Sequence, residues 1–163
     1  MSIPLVPSLL RAHLAELAAE DKRHDGRDRF EGRDVELEIN CLPRAEGSAR
    51  VRMGDTIVLA GVKFQIMTPY PDRPNEGGLM CSAEVRPVAG RNWEAGPPSA
   101  ESIELGRVVD RGIRESGCIN TEDLCIIPGE KAWQVILDVF AISDDGNLFD
   151  AFGLAAIAAL RSA

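Results

Sequence analysis

Along residues 34–42 apolar and polar positions alternate, with Val35, Leu37, Ile39 and Cys41 on one side and Glu36, Glu38 and Asn40 on the other. A period of two predicts a half-buried strand. Residues 48–53 alternate in the same way, Ala49, Val51 and Met53 against Ser48, Arg50 and Arg52, and Gly54-Asp55 suits a tight hairpin into the apolar run 56–66. Connections this short predict an antiparallel meander. Further strands are expected over 79–86, 124–127 and 133–142, separated by Pro- and Gly-rich loops at 68–78 and 87–98.

Three stretches carry the helical period instead. Residues 8–20 place Leu10, Leu14 and Leu17 on one face, with Ser8 suited to the cap, and the charged segment 21–29 that follows turns at Asp25-Gly26. Residues 101–117 open behind Pro97-Pro98 and Ser99 and stop at Gly117, the punctuation helices prefer. The last stretch, 148–160, is apolar nearly all round, its Leu148, Phe149, Phe152, Leu154, Ile157 and Leu160 separated mainly by alanines. A helix of that kind must be covered on several sides. The sequence ends three residues later, so the expectation is that a partner covers it or that part of the domain lies outside this chain.

The helix at 101–117 holds the most suggestive chemistry. At about 100° per residue, Arg107, Arg111 and Arg114 share one stripe, a geometry suited to phosphate groups. A plainer reading competes: Glu104, Asp110 and Glu115 stand three or four residues from these arginines, and the stripe is then a solvated face of weak ion pairs.

Composition narrows the partners. The chain has 163 residues, 45% of them hydrophobic and 27% charged, which suits one globular domain. A formal net charge of −8 opposes a global basic field, so any RNA or DNA contact must be local. No apolar run is long enough to span a bilayer, and the start of the chain, with Pro4 and Pro7 and no basic segment, does not read as a secretory signal. A cytoplasmic protein is expected. Cys41, Cys81, Cys118 and Cys125 form no CxxC pair, and His13 and His24 are too few to build on, so no metal or cofactor site is expected.

Six blocks, read together, resemble the RNase PH-like subunits of the archaeal exosome, and among them the non-catalytic one. They are Asp25-Gly26-Arg27, AEGSARVRMGDT at 45–56, LAGVK at 59–63, PYPD at 69–72, Gly96 to Pro98 with IELGRVVDRGIRES at 103–116, and the segment 145–160. The resemblance implies an α/β fold of the α+β type, with helices packed on a mixed, largely antiparallel sheet. It also implies that the chain is an N-terminal amphipathic helix at 1–20 and an RNase PH-like domain at 21–163 that lacks the C-terminal part of the fold.

What the resemblance implies about activity follows from single positions. Catalytic relatives hold inorganic phosphate with a Gly-Gly-Thr-Arg run where the last helix starts. The matching positions here are Gly146, Asn147, Leu148 and Phe149, so the clamp is missing and no catalytic residue is expected. The family's catalytic carboxylates belong to the half not present, and Asp144-Asp145 reads as a turn between strand and helix. The implied role is that of a non-catalytic subunit alternating with a catalytic RNase PH-like partner in a six-membered ring, with possible cap proteins, through which RNA is shortened from its 3′ end by phosphorolysis. Arg107 and Arg111, with Arg114 as a weaker candidate, match positions that hold the RNA backbone beside the neighbour's active site. Arg50, Arg52 and Trp93 can be given RNA contacts too, but an exposed sheet face and a loop anchor explain them as well. An active phosphorolytic enzyme and an assembly module without RNA contact remain as alternatives.

Overall fold

The computed structural model describes residues 8–163; the chain start with Pro4 and Pro7 lies outside them. The protein divides into two compact units, 1–33 and 34–163. In the first, α1 (Ser8–Ala19) is followed by a small charged knot. Arg27 pairs with Asp25 at 2.7 Å and donates to the Glu31 carbonyl, Arg29 pairs with Asp21, and Lys22 and Asp28 form a bridge around the turn at Gly26, whose φ is +85°. A positive φ is what glycine supplies without strain.

The second unit contains β1 (Val35–Ile39), β2 (Gly47–Met53), β3 (Thr56–Met67), β4 (Gly78–Val85), α2 (Ala100–Ser116), β5 (Cys125–Ile127), β6 (Lys131–Ser143) and α3 (Leu148–Arg161). Its strands form one sheet in the order β1-β2-β3-β6-β4, with β5 paired to β6. The meander β1-β2-β3 is antiparallel as expected, and Gly54, at φ +60°, makes the hairpin in which Met53 faces Thr56. β6 enters between β3 and β4, antiparallel to the first and parallel to the second. That one parallel pairing makes the sheet mixed, and α2 lies on the route that connects its strands.

Both long helices pack on one face of the sheet, α3 over β2 and β3, and α2 over β4. The core between them is Ala49, Val51, Val58, Ala60, Val62, Leu137, Val139 and Ala141 from the strands, met by Leu105, Val109 and Ile113 of α2 and by Ala151, Phe152, Ala155, Ala156 and Ala159 of α3. Alanines let α3 approach closely: a Cβ on Gly47 of β2 would stand 2.3 Å from the carbonyl oxygen of Ala159. On the other face Glu36 and Glu38 of β1 stand opposite Arg52 and Arg50, and the closer pair, Arg50 to Glu38, is 2.7 Å.

Two expectations need correction. The strand expected to be half-buried over 34–42 is shorter, Val35–Ile39, and exposed on both sides, with Val35, Leu37 and Ile39 at 51%, 57% and 55%. Their register opposite Met53, Val51 and Ala49 puts them on the helix-bearing face, but α3 reaches β1 only at its margin. Ser48, expected outside with the arginines, is buried because its partner Gly61 has no side chain and Leu42 closes over that position. Its hydroxyl accepts from Leu42 N–H at 2.9 Å, and its own N–H donates to the Ser162 hydroxyl at 3.0 Å.

The last helix is apolar nearly all round, and the packing uses only part of it. Phe149, Leu154 and Ile157 remain 40–46% exposed and, with Leu37 and Ile39 of β1 and Val108 of α2, line an open apolar groove of about 870 Å³. Among the described residues no helix is long and apolar enough to cross a membrane.

Candidate nucleic-acid interface

α2 is built to lie still against β4. Its N-cap is Ser99, whose hydroxyl accepts from Ser102 N–H at 3.2 Å, and it ends at Gly117 in the left-handed conformation, φ +65°. Leu105, Val109 and Ile113 are its buried stripe. Small residues draw the helix onto the strand: Ser102 donates to the Ala83 carbonyl at 2.9 Å, and a Cβ on Gly106 would already be in contact with Ala83 at 3.4 Å. Three turns later Arg114 ties the other end, donating through Nη2 to the Leu79 carbonyl at 3.2 Å.

The three arginines of the stripe therefore separate. Arg114 makes a two-pronged contact with Asp110, Nε to Oδ2 at 3.1 Å and Nη2 to Oδ1 at 2.8 Å, and this hydrogen-bonded carboxylate raises its pKa further above the ordinary arginine value. Only Nη1 is left without a partner. Arg107 and Arg111 are exposed, and among the described residues neither side chain has a hydrogen bond or ion pair. The ion-paired reading of the stripe thus holds for Arg114, which engages both oxygens of Asp110, whereas among the described residues no ion pair joins Arg107 or Arg111 to Glu104, Asp110 or Glu115.

All three arginines line a groove of about 760 Å³ between α2 and β4, with Ser82 and Cys81 on the strand side. Ser82 is hydrogen-bonded to Asp138 on the neighbouring strand β6. With Asp110 neutralising Arg114, the charges lining the groove are Arg107 and Arg111 against Glu115, a small positive excess in a chain of net charge −8. Burial pushes the Cys81 thiol up to about 12, aided by the carboxylates of Asp110 and Asp138, so it stays protonated and chemically quiet. The groove offers two mobile cations on a fixed backbone, which suits contact with the phosphates of a strand and no covalent chemistry.

The remaining candidates fall outside this groove. Arg50 and Arg52 face Glu38 and Glu36 across β1 and β2. Trp93 donates from Nε1 to Asp144 Oδ2 at 2.9 Å and packs on the core, which makes it an anchor for its loop. Asp144 is fully engaged, since its other oxygen accepts from Gly146 N–H at 3.0 Å and its own N–H donates to the Ala89 carbonyl. Asp145 N–H donates to Thr56, so the acidic pair is the structural turn expected of it. At the start of α3, Asn147 donates to Asp150 at 2.8 Å and Phe149 stands 44% exposed. Among the described residues no three His, Cys, Asp or Glu side chains group as a metal would need.

Ser102 and Gly106 were not singled out from the sequence. The signal was available, because small residues at i and i+4 on the buried side of a helix mark close approach to a neighbour. What the sequence does not state is which neighbour.

Comparison with known proteins agrees with this architecture. The family model described as 3′ exoribonuclease family, domain 1, matches residues 31–163. The exosome complex component Rrp42 of Methanosarcina acetivorans is 49% identical over 158 residues, which cover 97% of this chain and 59% of that protein. Its namesake in Archaeoglobus fulgidus is 48% identical, covering 97% and 61%. Among solved structures, a chain of the Archaeoglobus fulgidus exosome with RNA bound to the active site superposes with a TM-score of 0.90 at 49% identity, covering 94% of this chain and 60% of its own length. A chain of an archaeal exosome core superposes at 0.83 and 45%, covering 95% and 58%. The chain thus spans about three-fifths of the length of the relatives it matches. With its mixed sheet, its two packed helices and a family match over most of its residues, this chain belongs to the RNase PH-like 3′ exoribonuclease family.

Proposed function

We propose that this chain acts as a non-catalytic, RNA-contacting subunit of a phosphorolytic 3′ to 5′ exoribonuclease ring, in which it alternates with a catalytic RNase PH-like partner in the cytoplasm. The observation that carries the reading is the pair Arg107 and Arg111, unpaired and exposed on a helix pinned to β4 at both ends. Rigid presentation lowers the ordering cost of each phosphate contact. Arg114 holds the helix to the strand and keeps one nitrogen for the groove. The resemblance to exosome components, one solved with RNA in its active site, supports the same reading.

The non-catalytic part of the reading rests on the start of α3. Binding inorganic phosphate there requires donors and positive charge. Phe149 supplies neither, and Asp150 already occupies the first turn.

The test is phosphate-dependent degradation of a single-stranded RNA. The chain alone is expected to be inactive, and activity is expected once the catalytic partner is added. Replacing both Arg107 and Arg111 by alanine in the assembled complex should weaken RNA binding and reduce its logarithmic salt slope by about two. Phosphorolysis by the purified chain alone would overturn the non-catalytic assignment; unchanged affinity and slope in the double variant would overturn the RNA contact.

A further inference from the structure

The groove between α2 and β4 is lined by three arginines, yet it presents only two of them as open cations. On Arg107 and Arg111 no side-chain hydrogen bond or ion pair is made among the described residues. Arg114 is half-exposed beside them and is taken by Asp110, through Nε to Oδ2 at 3.1 Å and Nη2 to Oδ1 at 2.8 Å. The same Nη2 donates to the Leu79 carbonyl at 3.2 Å, so the guanidinium is turned towards the strand. Asp110 stands three residues after Arg107 and directly before Arg111, and 26% of its side chain is exposed. Its carboxylate therefore sits within the cationic stripe.

A carboxylate in that place cancels the charge of the arginine it binds and repels a phosphate approaching the other two. Its field reaches the strand side of the groove. At the Cys81 thiol burial is the main cause of the raised pKa, and Asp110 comes next, ahead of the opposing pull of Arg114. Seen from β4, the Asp110–Arg114 pair is not a cation. With the pair neutral, Arg107 and Arg111 against Glu115 leave one positive charge in excess; without the Asp110 charge, Arg114 joins them and the excess is two.

We propose that Asp110 is a positioning residue for the RNA strand: by holding Arg114 against β4, it limits the grip of the groove to the two phosphates at Arg107 and Arg111. The proposal rests on the RNA-contacting reading of α2. Its consequence follows from the reaction. A strand shortened one nucleotide at a time must advance along the groove after each cleavage, so every phosphate contact formed has to be broken again. A third contact would raise affinity without raising the rate.

The experiment uses the chain assembled with its catalytic partner. Binding of a fluorescent single-stranded oligoribonucleotide is measured over a range of salt concentrations, and phosphate-dependent degradation of the same RNA supplies kcat and KM. Asp110→Asn keeps the shape of the side chain and one acceptor oxygen for Arg114 while removing the charge. It should bind RNA about fivefold tighter at about 0.1 M salt, steepen the logarithmic salt slope by about one, and lower KM and kcat together. Asp110→Glu restores the carboxylate and should restore the original binding. Asp110→Asn combined with Arg114→Gln should lose the gain, since Arg114 is the cation released. Mere damage to the helix would weaken binding, a change of opposite sign. Unchanged or weaker binding in Asp110→Asn, the same gain in Asp110→Glu, or a gain that survives Arg114→Gln would each overturn the proposal. Tighter binding with undiminished kcat would overturn the role of Asp110 in letting the strand advance. Unchanged binding in the Arg107 and Arg111 double variant would instead defeat the underlying reading of α2.

Discussion

Arg107 and Arg114 are seven residues apart on one stripe, yet a single carboxylate gives them different work. Asp110 stands one turn before Arg114 and fixes it, an orientation that favours the pair as acid before base along a helix. At half exposure the pair itself is worth a few tenths of a kcal/mol, so its value lies in aiming the guanidinium at Leu79. Thiols show the same dependence on surroundings. Cys118 is exposed, whereas Cys81 has its pKa raised by burial from 9.0 to about 12. Iodoacetamide at mildly alkaline pH should therefore modify Cys118 in the native protein and reach Cys81 only on unfolding, as peptide mass mapping would read. The sign of the linkage follows: the folded state favours the neutral Cys81 thiol, so this stabilisation is complete below about pH 9 and is lost as pH rises towards 12. In Cys81→Ala the fall of Tm over that interval should be shallower; an unchanged pH profile would count against it.

At the scale of elements, glycines report where backbones touch. Gly47 of β2 has the Ala159 carbonyl and the Ala163 backbone in the space a Cβ would take, at 2.3 Å and 2.6 Å. Gly47→Ala must push α3 off the sheet, a loss of about 1–3 kcal/mol. Gly112 in α2 has nothing within 4 Å, so Gly112→Ala should gain about 0.5–1 kcal/mol through helix propensity. Urea denaturation midpoints of the two variants should move in opposite directions, and a shared direction would mean that α2 and α3 are not seated as described. Similar logic explains the pinning of α2: Gly106 and Ser102 bring it onto β4, and the arginine groove exists because the helix lies that close.

For the molecule as a whole, one sheet face is closed by helices around Phe152, which is fully buried. Phe152→Ala should cost about 3–5 kcal/mol and unfold the chain at moderate temperature. The outer side of the helices is different. Leu37, Ile39, Val108, Phe149, Leu154 and Ile157 form a continuous apolar groove. Such a surface binds hydrophobic dyes, so the folded chain should enhance ANS fluorescence, and Leu154→Glu with Ile157→Lys should abolish the enhancement with little change in the urea midpoint. Retained fluorescence in that variant would place the dye elsewhere.

Local pattern determined much of this protein. Period-two alternation placed β2, Gly54 placed the hairpin, Ser99 and Gly117 bounded α2, and the six blocks identified the family, because each depends on residues close in sequence or on fixed motifs. The nearly continuous apolar run 148–160 placed α3. Tertiary structure decided the rest. Alternation in β1 could not show that the strand lies beyond the reach of α3, and Ser48 is buried by Gly61 and Leu42, which its own neighbours do not reveal. Above all, the sequence offered Asp110, Glu104 and Glu115 equally to three arginines. Only the packing of α2 against β4, through Ser102, Gly106 and the Leu79 carbonyl, selected Arg114 for the ion pair and left Arg107 and Arg111 free, since a side chain's partner depends on the position of a strand some thirty residues away.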